Sequence, residues 1–416
     1  MAASRNVFLK GWQSCMKWLD VAAQMLVGLF WAPHAYLIFF VTARCNARCS
    51  FCFYWEEIEN SSKRKELSLE EIAQLAKKLK HLLYLSIGGG EPFLRADLAD
   101  LVGLFYRHCR TRFVNITTNG LQPERTAALV ERMLVENPHL NLKLSISLDA
   151  LGEKHDQLRK VPGNFKKILE THHRLCQLRE RHRFFGLNIA TTFSKFNEDE
   201  IEELIDFVDE KLDVNDHTLT FIRGEAKDRQ ALDASIGKYK KAISYLDIKH
   251  RPDKLVFQLL HNVLRLMFKI NIDTLEQDRM IVPCVAGGKM ITLDDQGVVK
   301  PCEMLQQIHH SDRFNIGDVR TADYDIPAVM KTLKAREVRA WIKDTKCHCT
   351  FECANMANVV FNTRSWPRVV AEFFRKREVP VTQGLKPSSG STVSAGMKGS
   401  GVRGEDQVPA EHATVR

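Results

Sequence analysis

The chain has 416 residues, 44% of them hydrophobic and 27% charged, enough for one large core and a smaller one in an ordinary globular composition. A formal net charge of +9 would by itself point to nucleic acid or an acidic surface, but the lysines and arginines are scattered among acids along helical stretches. That is the pattern of solvated helix faces, and no nucleic-acid partner is expected.

Residues 1–34 read as an N-terminal amphipathic, apolar helix. A membrane-spanning helix needs roughly 20 uninterrupted apolar residues, whereas Asp20, Gln24 and Pro33-His34 interrupt this one. A cleaved signal peptide fits poorly, because it would deliver a thiol-rich loop into an oxidising space. The helix runs to about Trp31 and caps the domain that follows. Lys10, Trp12, Lys17 and Trp18 give it the flanks of an interfacial segment, so contact with a membrane surface is the alternative. The expected location is the cytoplasm, or the periphery of a membrane.

From Ala35 onward β-branched runs alternate with amphipathic helices. Strands are expected at 35–42, 82–87, 112–117, 140–148, 185–193 and 217–223, and helices near 96–109, 123–136, 164–182 and 198–211. Ser68-Leu-Glu-Glu71 is a capping box ahead of the apolar positions Ile72, Leu75 and Leu79. Six strand–helix units predict an α/β fold over 35–247, a partial (β/α)6 TIM-type barrel that stays open. In such folds the chemistry sits at the C-terminal ends of the strands. Cys45 follows the first strand, Gly88-Gly-Gly-Glu91 the second and Thr118-Asn-Gly120 the third. Residues 248–283 read as a helical bridge, 284–375 as a small C-terminal cysteine-rich domain, and 380–416 as a disordered tail with almost no large apolar residues.

The 11 cysteines are clustered, three within 45–52 and three within 347–353. In a chain of this size clustering points to metal in a reducing compartment rather than to disulfides. Cys15, Cys109 and Cys176 stand alone on helical patterns and read as small buried hydrophobes. Cys45, Cys49 and Cys52 crowd three thiolates onto one loop after a strand. Such a loop can hold a cubane iron–sulfur cluster whose fourth iron has no protein ligand. An amino acid can chelate that iron, which suits S-adenosylmethionine (SAM), whose sulfonium can accept an electron and fragment to a carbon radical. A zinc knuckle would want a second cysteine pair nearby, and none follows.

The segment Cys45-x3-Cys49-x2-Cys52, with Phe51 before the last cysteine, resembles the signature of the radical SAM superfamily. The resemblance places Phe51 near the adenine and makes Gly89-Gly90-Glu91, followed by Pro92, the segment that binds the SAM amino group. It extends to Ser145-Ile-Ser147-Leu-Asp149-Ala150 with His155-Asp156, implying contacts from Ser147 and Arg159 to the SAM ribose or carboxylate. On the residues alone, Arg159 reads equally well as a surface arginine of a helix. Thr191-Thr192, Asn197 and Arg223-Gly224 are positioned to line the same cleft.

Cys284, Cys302, Cys347, Cys349 and Cys353 are similar to the C-terminal auxiliary-cluster extension of such enzymes, of the SPASM or shorter twitch type. Five thiols imply one second, auxiliary iron–sulfur cluster with four ligands and one thiol spare. Cys284 and Cys302 are the firmer ligands, and which two of the other three complete the set is open. A structural zinc, with His348 as a ligand, is the alternative. The resemblance implies reductive cleavage of SAM at a 4Fe–4S cluster to a 5′-deoxyadenosyl radical. That radical would take hydrogen from an unactivated carbon of an unidentified substrate, a peptide or protein side chain or a lipid or sugar natural product. It also implies an external one-electron reductant of the flavodoxin or ferredoxin kind. The competing reading is a non-catalytic iron–sulfur electron carrier or SAM-binding scaffold. No catalytic acid or base is assigned. Tyr54 and Trp55 are candidates to wall an apolar pocket.

Overall fold

A computed structural model describes residues 23–24, 26–249 and 255–374, with the backbone alone at 255–261 and 372–374. Most of the expected N-terminal helix, Cys15 and the expected tail lie outside the described residues. The apolar run Tyr-Leu-Ile-Phe-Phe-Val-Thr forms β1 (Tyr36–Thr42), buried at every position. That is how a strand covered on both faces reads. β2 (Tyr84–Gly89), β3 (Phe113–Thr118), β4 (Asn141–Ser147), β5 (Phe185–Phe193) and β6 (Asp216–Phe221) follow, each paired parallel to its predecessor.

The crossovers carry α1 (Leu69–Leu79), α2 (Leu98–His108), α3 (Pro123–Glu136), α4 (Gly152–Arg159), α5 (Asn164–Arg181) and α6 (Ile201–Lys211). The expected capping box is present at α1: the Ser68 side chain accepts from Glu71 N, and the Glu71 carboxylate accepts from Ser68 N at 2.8 Å. Alternation along the strands sorts the side chains. Phe39 packs edge-on to Phe105 of α2, with ring centroids 6.3 Å apart. The opposite parity faces inward, where Ser145 donates to Asn115 at 2.9 Å and Asn188 to Ser145 at 3.1 Å.

After β6 come α7 (Ile236–Lys249) and α8 (Leu255–Gln277), so the expected bridge at 248–283 is two helices, the first beginning inside the barrel boundary drawn at 247. The cysteine-rich region does not build a sheet of its own. β7 (Met290–Leu293) pairs parallel with β1, and β8 (Val298–Lys300) and β9 (Gly317–Asp318) continue antiparallel, giving one sheet in the order β6-β5-β4-β3-β2-β1-β7-β8-β9. This region also carries α9 (Met304–His309), α10 (Leu333–Asp344), α11 (Glu352–Phe361) and α12 (Trp366–Phe374). The N-terminus of α11 spans the gap in the open barrel, with Cys353 against the Tyr36 hydroxyl of β1 and Glu352 on Arg223, just past β6. Among the described residues no helix is long and apolar enough to cross a membrane.

Candidate radical SAM site

The loop that leaves β1 carries Cys45, Cys49 and Cys52, and it is pinned from three sides. Arg48 N and Ser50 N donate to the carbonyls of Arg159 and Leu158 at the end of α4. Asp228 N and Lys227 N donate to the carbonyls of Ser50 and Cys52. From the β2 side, Gly90 N donates to Thr42 O and Glu91 N to Arg44 O, both at 2.8 Å. This last contact explains the glycines. A Cβ at Gly90 would lie 2.1 Å from the Arg44 carbonyl oxygen, and one at Gly89, which also has φ +111°, 2.4 Å from that of Thr42.

Glu91 is 2% exposed, and its carboxylate faces the protein. It accepts from Thr118 Oγ1 at 2.9 Å, Asn119 N at 2.8 Å and Phe93 N at 3.1 Å. Burial nevertheless lifts it to about 7, against the pull of those donors. Its side chain thus ties β2 to β3, leaving backbone as what this turn offers a ligand. Asn119 continues the network, donating to Asn46 Oδ1 at 2.7 Å beside Cys45.

Arg159 is not a surface arginine: it is 8% exposed and paired with Asp149 through Nε and Nη2 at 2.7 and 2.5 Å. Burial opposes its charge, but Asp149 and the Cys49 sulfur outweigh that and hold it firmly protonated. The guanidinium carbon lies 5.6 Å from the centre of the Phe51 ring. Asp149 is itself oriented by Thr192 N at 2.8 Å. His155 Nδ1 accepts from Asp149 N at 3.1 Å, and burial lowers this histidine to about 4, so it is neutral and donates from Nε2 to Asn164. Ser147 ends β4 on the inward face and is 8% exposed.

Burial pushes the three thiols up, Cys45 to about 11. Their sulfurs are close enough to raise one another, and Arg159 supplies the opposing positive charge. The donor set fits a cluster held by three protein thiolates, since all three are free on one loop. Among the described residues no three His, Cys, Asp or Glu side chains close to the spacing of one bound ion. A cubane differs in spreading its thiolates over separate irons.

Cys284, Cys302, Cys347 and Cys349 converge on one cleft, lined also by His348, Asn355 and Asn358. Burial pushes all four thiols up, and Cys302 is raised further by the other three. Cys353, one of three thiols read from sequence as candidates for the last two ligand places, is turned away. The first turn of α11 points it into the barrel, against Tyr36 and near Glu303 and Arg223. His348 lines the cleft, but its ring nitrogens face Lys346 O at 3.0 Å and Asp278 at 3.4 Å. Cys109 is buried as expected, while Cys176 is half-buried against His172.

Between the two thiol groups lies a trio that the sequence did not reveal. Arg223 reaches Glu352 at 2.7 Å and Glu303 at 3.1 Å, its guanidinium 5.7 Å from the Phe53 ring centre and 4.8 Å from that of Phe351. Burial lifts both acids, Glu352 to about 7, against the pull of Arg223. The partners stand 80 and 129 residues away in sequence, so no local pattern could have announced them. Tyr54 does not wall a pocket: it is buried with its hydroxyl on Asp295.

Residues 39–208 match the model of the Radical SAM superfamily. The chain is 31% identical over 186 residues to molybdenum cofactor biosynthesis protein 1 of Drosophila melanogaster, covering 44% of this chain and 31% of that protein. It is 30% identical over 196 residues to GTP 3′,8-cyclase of Listeria welshimeri, covering 46% of this chain and 55% of the cyclase. It thus spans about half the length of these relatives or less. The solved structure titled "Native anSMEcpe with bound AdoMet" superposes with a TM-score of 0.54 at 17% identity, covering 83% of this chain and 100% of the other, a likeness of fold. The three-cysteine loop and most of the open parallel barrel lie within the residues that match that model, so residues 39–208 carry a radical SAM domain.

Proposed function

We propose that this chain is an enzyme that binds SAM at a 4Fe–4S cluster on Cys45, Cys49 and Cys52 and uses it to take hydrogen from a substrate in the barrel. The observation that carries the reading is the docking of the three-thiol loop against the Gly89-Gly90 turn, with Arg159 and Phe51 alongside. When bound, the cluster supplies the electron that splits the SAM sulfonium into methionine and a 5′-deoxyadenosyl radical. The backbone at Gly89-Gly90 orients the amino group, Phe51 flanks the adenine, and Ser147 and Arg159 lie within the cleft for the ribose or carboxylate. Glu91 acts through position, fixing the β2 turn against β3. A one-electron reductant of the flavodoxin or ferredoxin type completes the system.

We further propose Cys284, Cys302, Cys347 and Cys349 as the ligands of an auxiliary iron–sulfur cluster, with 284–375 as the segment that carries it. Four thiols share one cleft, yet among the described residues no three close to the spacing of one bound ion, which supports a cluster over zinc. The inward barrel face favours a polar substrate class. Asn115, Lys143, Ser145, Asn188, Asp216 and Thr218 are joined there by hydrogen bonds and an ion pair. A hydrogen-bonding substrate such as a peptide, sugar or nucleotide suits that lining better than a hydrocarbon. The nucleotide is the class named by the cyclase relatives, whose alignment covers less than half of this chain. The test is anaerobic incubation with SAM, reductant and panels of peptides, sugars, GTP and lipid extracts, read by mass spectrometry. A polar substrate losing hydrogen supports the reading, and turnover confined to lipid hydrocarbon contradicts it.

A further inference from the structure

The end of the barrel opposite the cysteine loop carries a surface that the proposed chemistry does not use. Eight large hydrophobic side chains are exposed among the described residues, and five belong to two touching segments. Leu26, Phe30 and Trp31 are 51%, 53% and 72% exposed, and Trp366 and Val370 of α12 are 37% and 56% exposed. Phe30 meets Trp366 edge-on at 6.2 Å, which makes one patch of the five. Scattered single exposures need no explanation, but a shared aromatic patch does.

Basic loops lie at the same end. Gly28 packs on Leu83, where an added Cβ would lie 2.7 Å away, and Leu83 N donates to Ala35 O at 3.0 Å. From there the rim is continuous: Leu82 N bonds Cys109 O, Asn141 N bonds Arg112 O, and Leu142 N bonds Phe184 O. These loops precede β2, β3, β4 and β5, so they all lie at the N-terminal ends of the strands. They expose Lys80, Arg110 and Arg183, while Arg364 and Arg368 flank the aromatic patch. None of these five bases pairs with a carboxylate among the described residues. Of the neighbouring acids, Glu131, Glu136 and Asp213 are each tied to an arginine, and Glu180 is not.

We infer that this end of the barrel docks on an anionic lipid bilayer, with Phe30, Trp31 and Trp366 entering the interface and the basic rim meeting the headgroups. Exposed tryptophans beside unpaired bases are the combination that anionic interfaces select. Nucleic acid would reward the bases but leave the aliphatic Leu26 and Val370 unexplained. β1 separates the two ends by roughly 20 Å at about 3.3 Å per residue, so the docked protein holds its cysteine loop away from the lipid. A substrate then arrives from the aqueous side, whatever its identity.

The test is flotation of the full-length protein with vesicles of phosphatidylcholine alone or containing phosphatidylglycerol. The protein should float with the anionic vesicles, stay behind with the neutral ones, and be released by high salt. F30S/W31S and W366S should each weaken flotation at least about tenfold while leaving 5′-deoxyadenosine formation unchanged. K80E/R110E, on exposed loops, should do the same without touching the aromatic patch. No flotation would overturn the inference. So would flotation undiminished in the aromatic variants, which would assign binding to residues 1–22 alone, or displacement of the vesicles by duplex DNA with no effect of W31S.

Discussion

The Tyr54 hydroxyl donates to Asp295 Oδ1 at 3.1 Å, joining the cysteine loop after β1 to the turn between β7 and β8. Asp295 is fully buried and also receives Arg64, through Nε at 2.9 Å and Nη2 at 2.6 Å. One carboxylate therefore fastens the two cysteine-bearing regions to each other. Y54F should cost about 1.5–3 kcal/mol, the worth of a hydrogen bond to a charged group. D295N, which takes the nearer of two carboxylates from partly buried Arg64 and leaves Asp294 at 3.7 Å, should cost about 3 kcal/mol, the low end for a broken buried pair. Urea unfolding of both and of the double variant should give a coupling above about 0.5 kcal/mol. Simple additivity would mean that the loop and the hairpin are held independently.

The two groups of C-terminal thiols should separate by iron content. After anaerobic reconstitution, C347A and C349A should each lose about four irons per chain relative to the parent protein, the content of one cubane. C353A should lose none, since that thiol faces Tyr36. Equal losses in all three would place Cys353 among the ligands.

Gly90 tests whether the β2 turn positions the cysteine loop. G90A puts a methyl group 2.1 Å from the Arg44 carbonyl oxygen, so the loop must move. The expected result is reduced SAM binding and destabilisation of about 1–3 kcal/mol, the usual cost of overpacking. Gly163, with φ +77° and nothing within 4 Å of an added Cβ, is the control. G163A should cost about 1 kcal/mol of backbone strain and leave SAM binding intact.

Acid should loosen the joint between α1 and the C-terminal region. Glu71 accepts from Arg320 Nε at 2.7 Å, and also from Tyr324 and Ser68; mainly through Arg320, it is held down to about 2. A depressed carboxylate contributes its stability fully above its unfolded pKa of about 4.3, and loses it as pH falls toward the folded value. Discounted for solvent screening, the contribution is about 1–2 kcal/mol. E71Q should be less stable than the parent at pH 7 by that amount and should match it near pH 2. A gap that persists at low pH would mean that the charge is not what Glu71 contributes.

Much of the barrel could be read from the chain. The six strands fall within about two residues of their expected positions, because β1 is a continuous apolar run, the others set apolar positions at every second residue, and turns punctuate them. Cys45, Cys49 and Cys52 were legible because three metal-binding side chains within eight residues are a local signal. The pairing of β7 with β1 was not, since Met290–Leu293 carries nothing in its pattern that selects a partner 254 residues earlier. The burial of Arg159 was equally hidden. Its partner Asp149 lies ten residues away, but only the turn of α4 back over the end of β4 brings the two together. The choice among Cys347, Cys349 and Cys353 stayed open for the opposite reason: close in sequence to Cys349, Cys353 is the second residue of α11 and faces another way.

The central claim is that a cluster on three thiols leaves one iron for SAM and splits it. The most direct measurement is 5′-deoxyadenosine formed by anaerobically reconstituted, dithionite-reduced protein supplied with SAM. The account predicts its formation, and its loss in a C45A/C49A/C52A variant that still binds iron at the C-terminal thiols. An intact cluster at these cysteines that yields no 5′-deoxyadenosine, or undiminished yield from the triple variant, would contradict it.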